Sequence, residues 1–137
     1  MRILIFLFLL LQTMQADERH VVAITLLAEA RGEGEDGLAA VACVIQQRAL
    51  ERGITPEAVC LQRKQFSCWN GKNYDDLKHL LDCPQAKWAL WLERNLKNLN
   101  LAKIGHANHY HADYVSPYWA RGKTPVASIG RHRFYKL

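Results

Sequence analysis

Two apolar runs of helical period, joined by a glycine-rich turn, constrain this chain more than any other feature. The first, over 18–31, puts Val21, Ile24 and Leu27/Ala28 on one face. The second, over 36–51, puts Leu38, Val41, Ala42, Ile45 and Ala49 on another. Gly32, Gly34 and Gly37 break the pattern between them and supply a flexible turn. The small residues on the second run let two helices pack closely, which exposes the end of the first at a cleft. Glu29 stands there, at the end of the apolar run from Val21. An ionised carboxylate in low dielectric is costly, so a Glu in such surroundings is expected to hold its proton and then donate it, as a general acid does. Taken alone, Glu29 also reads as a surface residue on a helix end; the glycine turn and the small-residue helix favour the cleft. Glu33, Glu35 and Asp36 precede the second helix, where acids suit the positive end of the helix dipole.

Further along, Thr55-Pro56-Glu57 is a helix start, with Thr55 as cap and Pro56 in the first turn. Residues 61–72 read as irregular, with a turn at Asn70-Gly71. A short helix is predicted at 74–81, and Pro84 opens a longer one to about Leu96 that carries Trp88, Trp91/Leu92 and Leu96. His109, Tyr110, Val115, Tyr118 and Trp119 are extended formers, and Ile129 to Tyr135 reads as a final strand or buried tail. The expected fold class is mainly α (α+β), a helical domain with a small extended patch near the C-terminus.

Arg2 followed by the apolar run Ile3 to Leu11 is too short to span a bilayer, which takes roughly 20 residues. With Ala16 as the small residue at a cleavage site, residues 1–16 read as a secretory signal peptide and 17–137 as one catalytic domain. The expected destination is the periplasm or the cell wall and exterior, with membrane contact only through the signal peptide during export. A formal charge of +5 suits an anionic partner there. Among the four cysteines, Cys43 lies on an apolar helix face and reads as a free buried thiol. Cys60 and Cys68 flank a short loop and could pair in an oxidising compartment, though four cysteines permit three full pairings and the sequence selects none.

Two segments complement Glu29. Gln65-Phe66-Ser67-Cys68-Trp69-Asn70 mixes amide, hydroxyl and aromatic groups, the types that hydrogen-bond sugar hydroxyls and stack on sugar rings. Phe66 is expected in the core, Gln65 and Ser67 nearer the cleft. His109-Tyr110-His111, with Tyr135 near the chain's end, could line a polar and aromatic wall facing Glu29. His109 and His111 share one strand face and His106 is near in sequence, but without a carboxylate partner or fourth ligand they make a poor zinc signature, so no metal is assigned. The same tyrosines also read as residues that merely close the core.

Together these segments resemble the cell-wall hydrolase family that includes the spore cortex-lytic enzymes. The first motif is Glu29-Ala30-Arg31-Gly32-Glu33, followed by Gly37 and an apolar helix ending in Gln47-Arg48. The middle motif is Gln65-Phe66-Ser67 with Trp69. The last comprises His109 to His111, Pro117 to Trp119 and Ile129 to Tyr135. The resemblance covers roughly 20–137 and departs at Gln47, where the family more often has Asn. It implies a lysozyme-like, lytic-transglycosylase-like fold that cuts peptidoglycan between N-acetylmuramic acid and N-acetylglucosamine, with the catalytic Glu at Glu29.

Glycosidic cleavage needs an acid at the leaving oxygen and, in a two-carboxylate hydrolase, a second acid roughly 5–9.5 Å away. Glu33 and Asp113 are the nearest contenders, and both have structural readings. With one carboxylate, Glu29 would protonate the leaving oxygen and then activate the sugar's own 6-hydroxyl. The sequence leaves open a hydrolytic or a transglycosylase product. Other classes are an exported zinc-dependent amidase or peptidase built on the histidines, and a non-catalytic wall binder. No cofactor and no nucleic-acid partner are expected, and the chain is expected to act as a monomer on peptidoglycan.

Overall fold

The computed structural model describes residues 19–137, so the expected signal peptide lies outside the described residues. Helix α1 (Val21–Ala30) is buried over nearly its whole length, from Val21 to Leu27 and again at Ala30. A helix apolar all round belongs in the middle of a domain. It packs against α2 (Gly34–Arg52) and α5 (Ala86–Arg94). Ile24, Leu26 and Leu27 are fully enclosed, and each side chain contributes about 1.5–3 kcal/mol by leaving water.

Helix α2 has two working faces. Leu38, Val41, Ala42, Ile45 and Ala49 join α1 in the main core. Ala40, Cys43 and Val44 face the other way, onto Ile104, Ala107 and Phe134. The helix is therefore a wall between a helical layer and a small sheet. It ends at Gly53, whose φ of 64° is the left-handed cap that favours glycine. Helix α3 (Pro56–Leu61) starts as the sequence predicts, with the Ala58 N–H donating to Thr55 Oγ1 at 3.1 Å.

A 3-10 turn at Ser67–Trp69 interrupts the irregular 61–72 segment. The helix expected at 74–81 is α4 (Tyr74–Leu77), which changes to a 3-10 turn at Lys78–Asp82. Asn73 and Asp76 form a reciprocal capping box that fixes its start. Helix α5 is followed by 3-10 turns at Leu96–Asn98 and Leu101–Ile104. Two residues read as core face outward: Ala28 is exposed, and Trp91 is 44% exposed.

The C-terminal patch is an antiparallel sheet of β1 (His109–Ala112), β2 (Ala127–Ile129) and β3 (His132–Tyr135), in the order β1-β3-β2. The run Ile129 to Tyr135 is thus a hairpin and not one strand. Gly130, at φ 55°, takes the turn conformation that an L side chain resists. Tyr118 and Trp119 are not extended either; after Pro117 they form a 3-10 turn, Tyr118–Ala120. Cys43, Cys60, Cys68 and Cys83 are all free thiols, so the Cys60–Cys68 bridge that the sequence leaves open is not formed. No helix among the described residues is long and apolar enough to cross a membrane.

Candidate active site

Glu29 lies in the last turn of α1 and is half-buried, less enclosed than an apolar helix end suggests. Its Oε2 accepts a hydrogen bond of 2.9 Å from the Tyr110 hydroxyl, across 81 residues of sequence. Tyr110 comes from the second position of β1, on the sheet face that packs on α2. Its ring lies 5.0 Å from that of His132 and 5.6 Å from that of Phe134. Burial, then the Glu29 charge and the hydrogen bond to it, push the phenol well above its ordinary range. Tyr110 is therefore a neutral donor at neutral pH.

One turn earlier on the same face, Thr25 anchors the middle motif. Its hydroxyl donates to Val21 O at 2.8 Å and accepts from Trp69 Nε1 at 2.9 Å. The 67–69 turn is thereby pinned against α1 beside Glu29. Cys68 in that turn feels the carboxylate: burial first, then the charge of Glu29, push its thiol up to about 11. Burial pushes Cys60 further, to about 12. Both are weak nucleophiles at neutral pH.

Arg48 organises the junction of helix, loop and sheet. It is buried, donates from Nε to Asn108 O at 2.8 Å and from Nη1 to Gln65 Oε1 at 3.4 Å, and lies over the Phe66 ring at 5.5 Å. Burial and the neighbouring Arg52 lower its pKa, while Tyr110, Cys60 and Glu29 act in the opposite direction. A guanidinium stays charged through such shifts. Gln65 also accepts from Arg52 Nη1 at 3.1 Å, which leaves its amide nitrogen free to donate. Phe66 is buried as expected, and Gln65 and Ser67 are exposed on the loop.

Strand alternation divides the remaining candidates. Tyr110 reaches Glu29, whereas His109, His111 and Tyr135 lie on the other sheet face, gathered around Trp119. His111 stacks on Tyr135 at 5.3 Å. Its Nδ1 meets Ala112 O at 2.7 Å and its Nε2 meets the Tyr135 hydroxyl at 2.9 Å. A carbonyl only accepts, so Nδ1 carries the proton of that contact. His109 Nδ1 bonds Asn108 Oδ1 at 2.9 Å. Burial, then the charges of Arg48 and Arg52, lower the His109 pKa and favour the neutral ring. His106 is exposed beside Gln47. Among the described residues no three His, Cys, Asp or Glu side chains stand together as a metal site.

The contenders for a second acid have other partners. Glu33 does not cap α2 with its side chain; its Oε2 accepts from the Arg131 backbone N–H at 2.9 Å. That bond ties the α1–α2 turn to the β2–β3 hairpin, and Gly130 makes the approach possible, since a Cβ there would sit 2.3 Å from Glu33 Oε2. Asp113 lies 3.8 Å from the Arg133 guanidinium. Sequence reasoning gave no site role to Thr25 or Arg48. Both carried a signal: Thr25 precedes Glu29 by one turn, and Arg48 continues the Val41–Ile45 core stripe. His132 is buried beside Tyr110 with Nδ1 unpartnered.

The family model described as Cell Wall Hydrolase matches residues 32–135 of this chain. The chain belongs to the Cell Wall Hydrolase family. It is a hydrolytic enzyme of the wall, with peptidoglycan as its polymer. The match takes in the α1–α2 turn, the 65–69 loop and all three strands of the hydrolase, and begins just past Glu29. No curated protein and no solved structure shows a significant match to the chain.

Proposed function

We propose that this hydrolase cuts peptidoglycan glycan strands between N-acetylmuramic acid and N-acetylglucosamine, with Glu29 as its single acid–base carboxyl. The observation that carries the reading is the Glu29–Tyr110 pair. Tyr110 holds one carboxylate oxygen in place, and the other is left to exchange a proton with substrate. Glu29 donates its proton to the glycosidic oxygen as the bond from that oxygen to C1 breaks. The carboxylate then takes a proton from the muramic acid 6-hydroxyl, whose oxygen closes on C1 to give a 1,6-anhydro sugar. A water molecule in place of that hydroxyl gives the muramidase product. The ties of Glu33 to the hairpin and of Asp113 to Arg133 support a mechanism without a second acid, and the same single carboxyl serves either product.

Gln65 and Ser67 are assigned to substrate from the exposed loop, with Tyr110 beside the acid. His109 and His111 are assigned to glycan that passes over the outer sheet face, with Tyr135, buried behind them, acting on that glycan through its bond to His111. The helical core with a small sheet supports a lysozyme-like architecture. Residues 1–16 are proposed as an export signal and 17–137 as the secreted catalytic domain.

Mass spectrometry of products from purified peptidoglycan tests this reading. Anhydromuramic ends mark the transglycosylase outcome and reducing ends the muramidase outcome. Intact glycan strands with released peptides would show an amidase or peptidase instead, as would activity lost to EDTA and restored by zinc.

A further inference from the structure

On the side of the molecule formed by the α1–α2 turn and α5 lies a groove of about 830 Å³. Arg31, Gly32, Gly34 and Glu35 form one wall, and Trp88, Trp91 and Arg94 another. Glu29 is not part of its lining. The volume falls in the range of small-molecule sites, roughly 300–1,000 Å³. Its floor is a built aromatic platform. The rings of Trp88 and Trp91 stack in parallel, 4.9 Å apart and 6° from coplanar. Trp88 is half-buried against the core, and its Nε1 donates to Glu35 O at 3.0 Å, so it cannot turn away. Trp91 rests on it with 44% of its surface exposed. A large aromatic that is held on one face and open on the other is an anchor that costs little entropy to use.

The rim is cationic. Arg31, Lys87 and Arg94 surround the platform, and Glu35 is the only acid in the lining. An indole face accepts the apolar face of a pyranose, and guanidinium groups bind carboxylates through paired hydrogen bonds. The ligand that satisfies both is a sugar bearing a carboxylate-rich substituent.

We propose that this groove is an auxiliary binding site for the disaccharide-peptide unit of peptidoglycan, with the sugar on Trp91 and stem-peptide carboxylates on Arg31 and Arg94. The proposal rests on peptidoglycan being the polymer this enzyme meets, and not on the role of Glu29. The site holds the strand away from the acid, so the enzyme stays on an insoluble substrate between cuts.

The test uses the full chain and two soluble probes, the disaccharide-peptide repeat and a neutral N-acetylglucosamine oligomer of similar length. Binding is followed by titration calorimetry and by tryptophan fluorescence. Trp91→Ala is expected to weaken both probes at least tenfold. Arg31→Ala/Arg94→Ala is expected to weaken only the carboxylate-bearing probe, and to flatten its salt dependence. Thermal unfolding of both variants should match the wild type, because all three side chains are exposed at the groove. Unchanged affinity in Trp91→Ala would overturn the proposal. So would binding abolished by Tyr110→Phe alone, which would place all recognition at Glu29. A wild-type dimer that Trp91→Ala converts to monomer would assign the groove to self-association instead. Should Glu29→Gln still cleave glycan while Trp91→Ala loses binding, the groove stands and the assignment of Glu29 falls.

Discussion

Replacing Tyr110 by Phe removes one oxygen from the site and leaves the ring. That oxygen donates to Glu29 Oε2 at 2.9 Å, and hydrogen bonds to charged groups contribute about 1.5–3 kcal/mol. Each 1.36 kcal/mol is a tenfold change in rate. If the bond orients Glu29 during proton transfer, kcat on purified peptidoglycan should fall by about ten- to a hundredfold with KM little changed. Stability should respond less. The Phe ring keeps its packing on His132 and Phe134, and half-exposed Glu29 regains water in place of the phenol, so the loss should stay below about 1 kcal/mol. Turnover per folded molecule and thermal unfolding are measured on the same preparation. A Phe variant that turns over at the wild-type rate would refute the argument. A loss of activity that merely follows a loss of folded protein would reduce Tyr110 to a core residue.

Gly130→Ala should lower stability by about 1–3 kcal/mol, since it combines a left-handed φ with a Cβ set against Glu33 Oε2; an unchanged melting midpoint would show that the hairpin clamp is slack. His109 has a lowered folded-state pKa, so the unfolded chain binds its proton first as pH falls. The fold should keep the full contribution above the unfolded pKa of about 6.5 and lose it as pH falls through the lower folded value. Denaturant unfolding from pH 7.5 to 5 should therefore slope less in His109→Asn than in the wild type, and equal slopes would contradict this.

Much of the fold is legible in the sequence because its main devices are local. The period of the two apolar runs, the Thr55 cap with Pro56, and the alanine-rich second helix all act over a few residues. The hairpin at 127–135 is harder to read because Gly130-Arg131 interrupts a run whose apolar and aromatic residues look continuous. Trp91 reads as core by period, yet faces outward because Leu92, the next residue, takes the core position. In the site, Glu29 stands out by its apolar surroundings, while its pairing with Tyr110 depends on how α2 sets the sheet against α1. No spacing rule relates residues 81 positions apart. The same limit separates Tyr110 from His111: period 2 puts them on opposite faces, and only the packed sheet tells which face meets the acid.

The role of Glu29 is the central claim, and Glu29→Gln tests it most directly. The amide keeps the size of the side chain and can still accept from Tyr110, but it has no proton to give to a leaving oxygen. Acid–base groups of this kind contribute about 10²–10⁴ in rate. Release of soluble fragments from purified peptidoglycan should fall at least a hundredfold, with circular dichroism and melting midpoint unchanged. A Gln variant that digests peptidoglycan at a near wild-type rate would contradict the account.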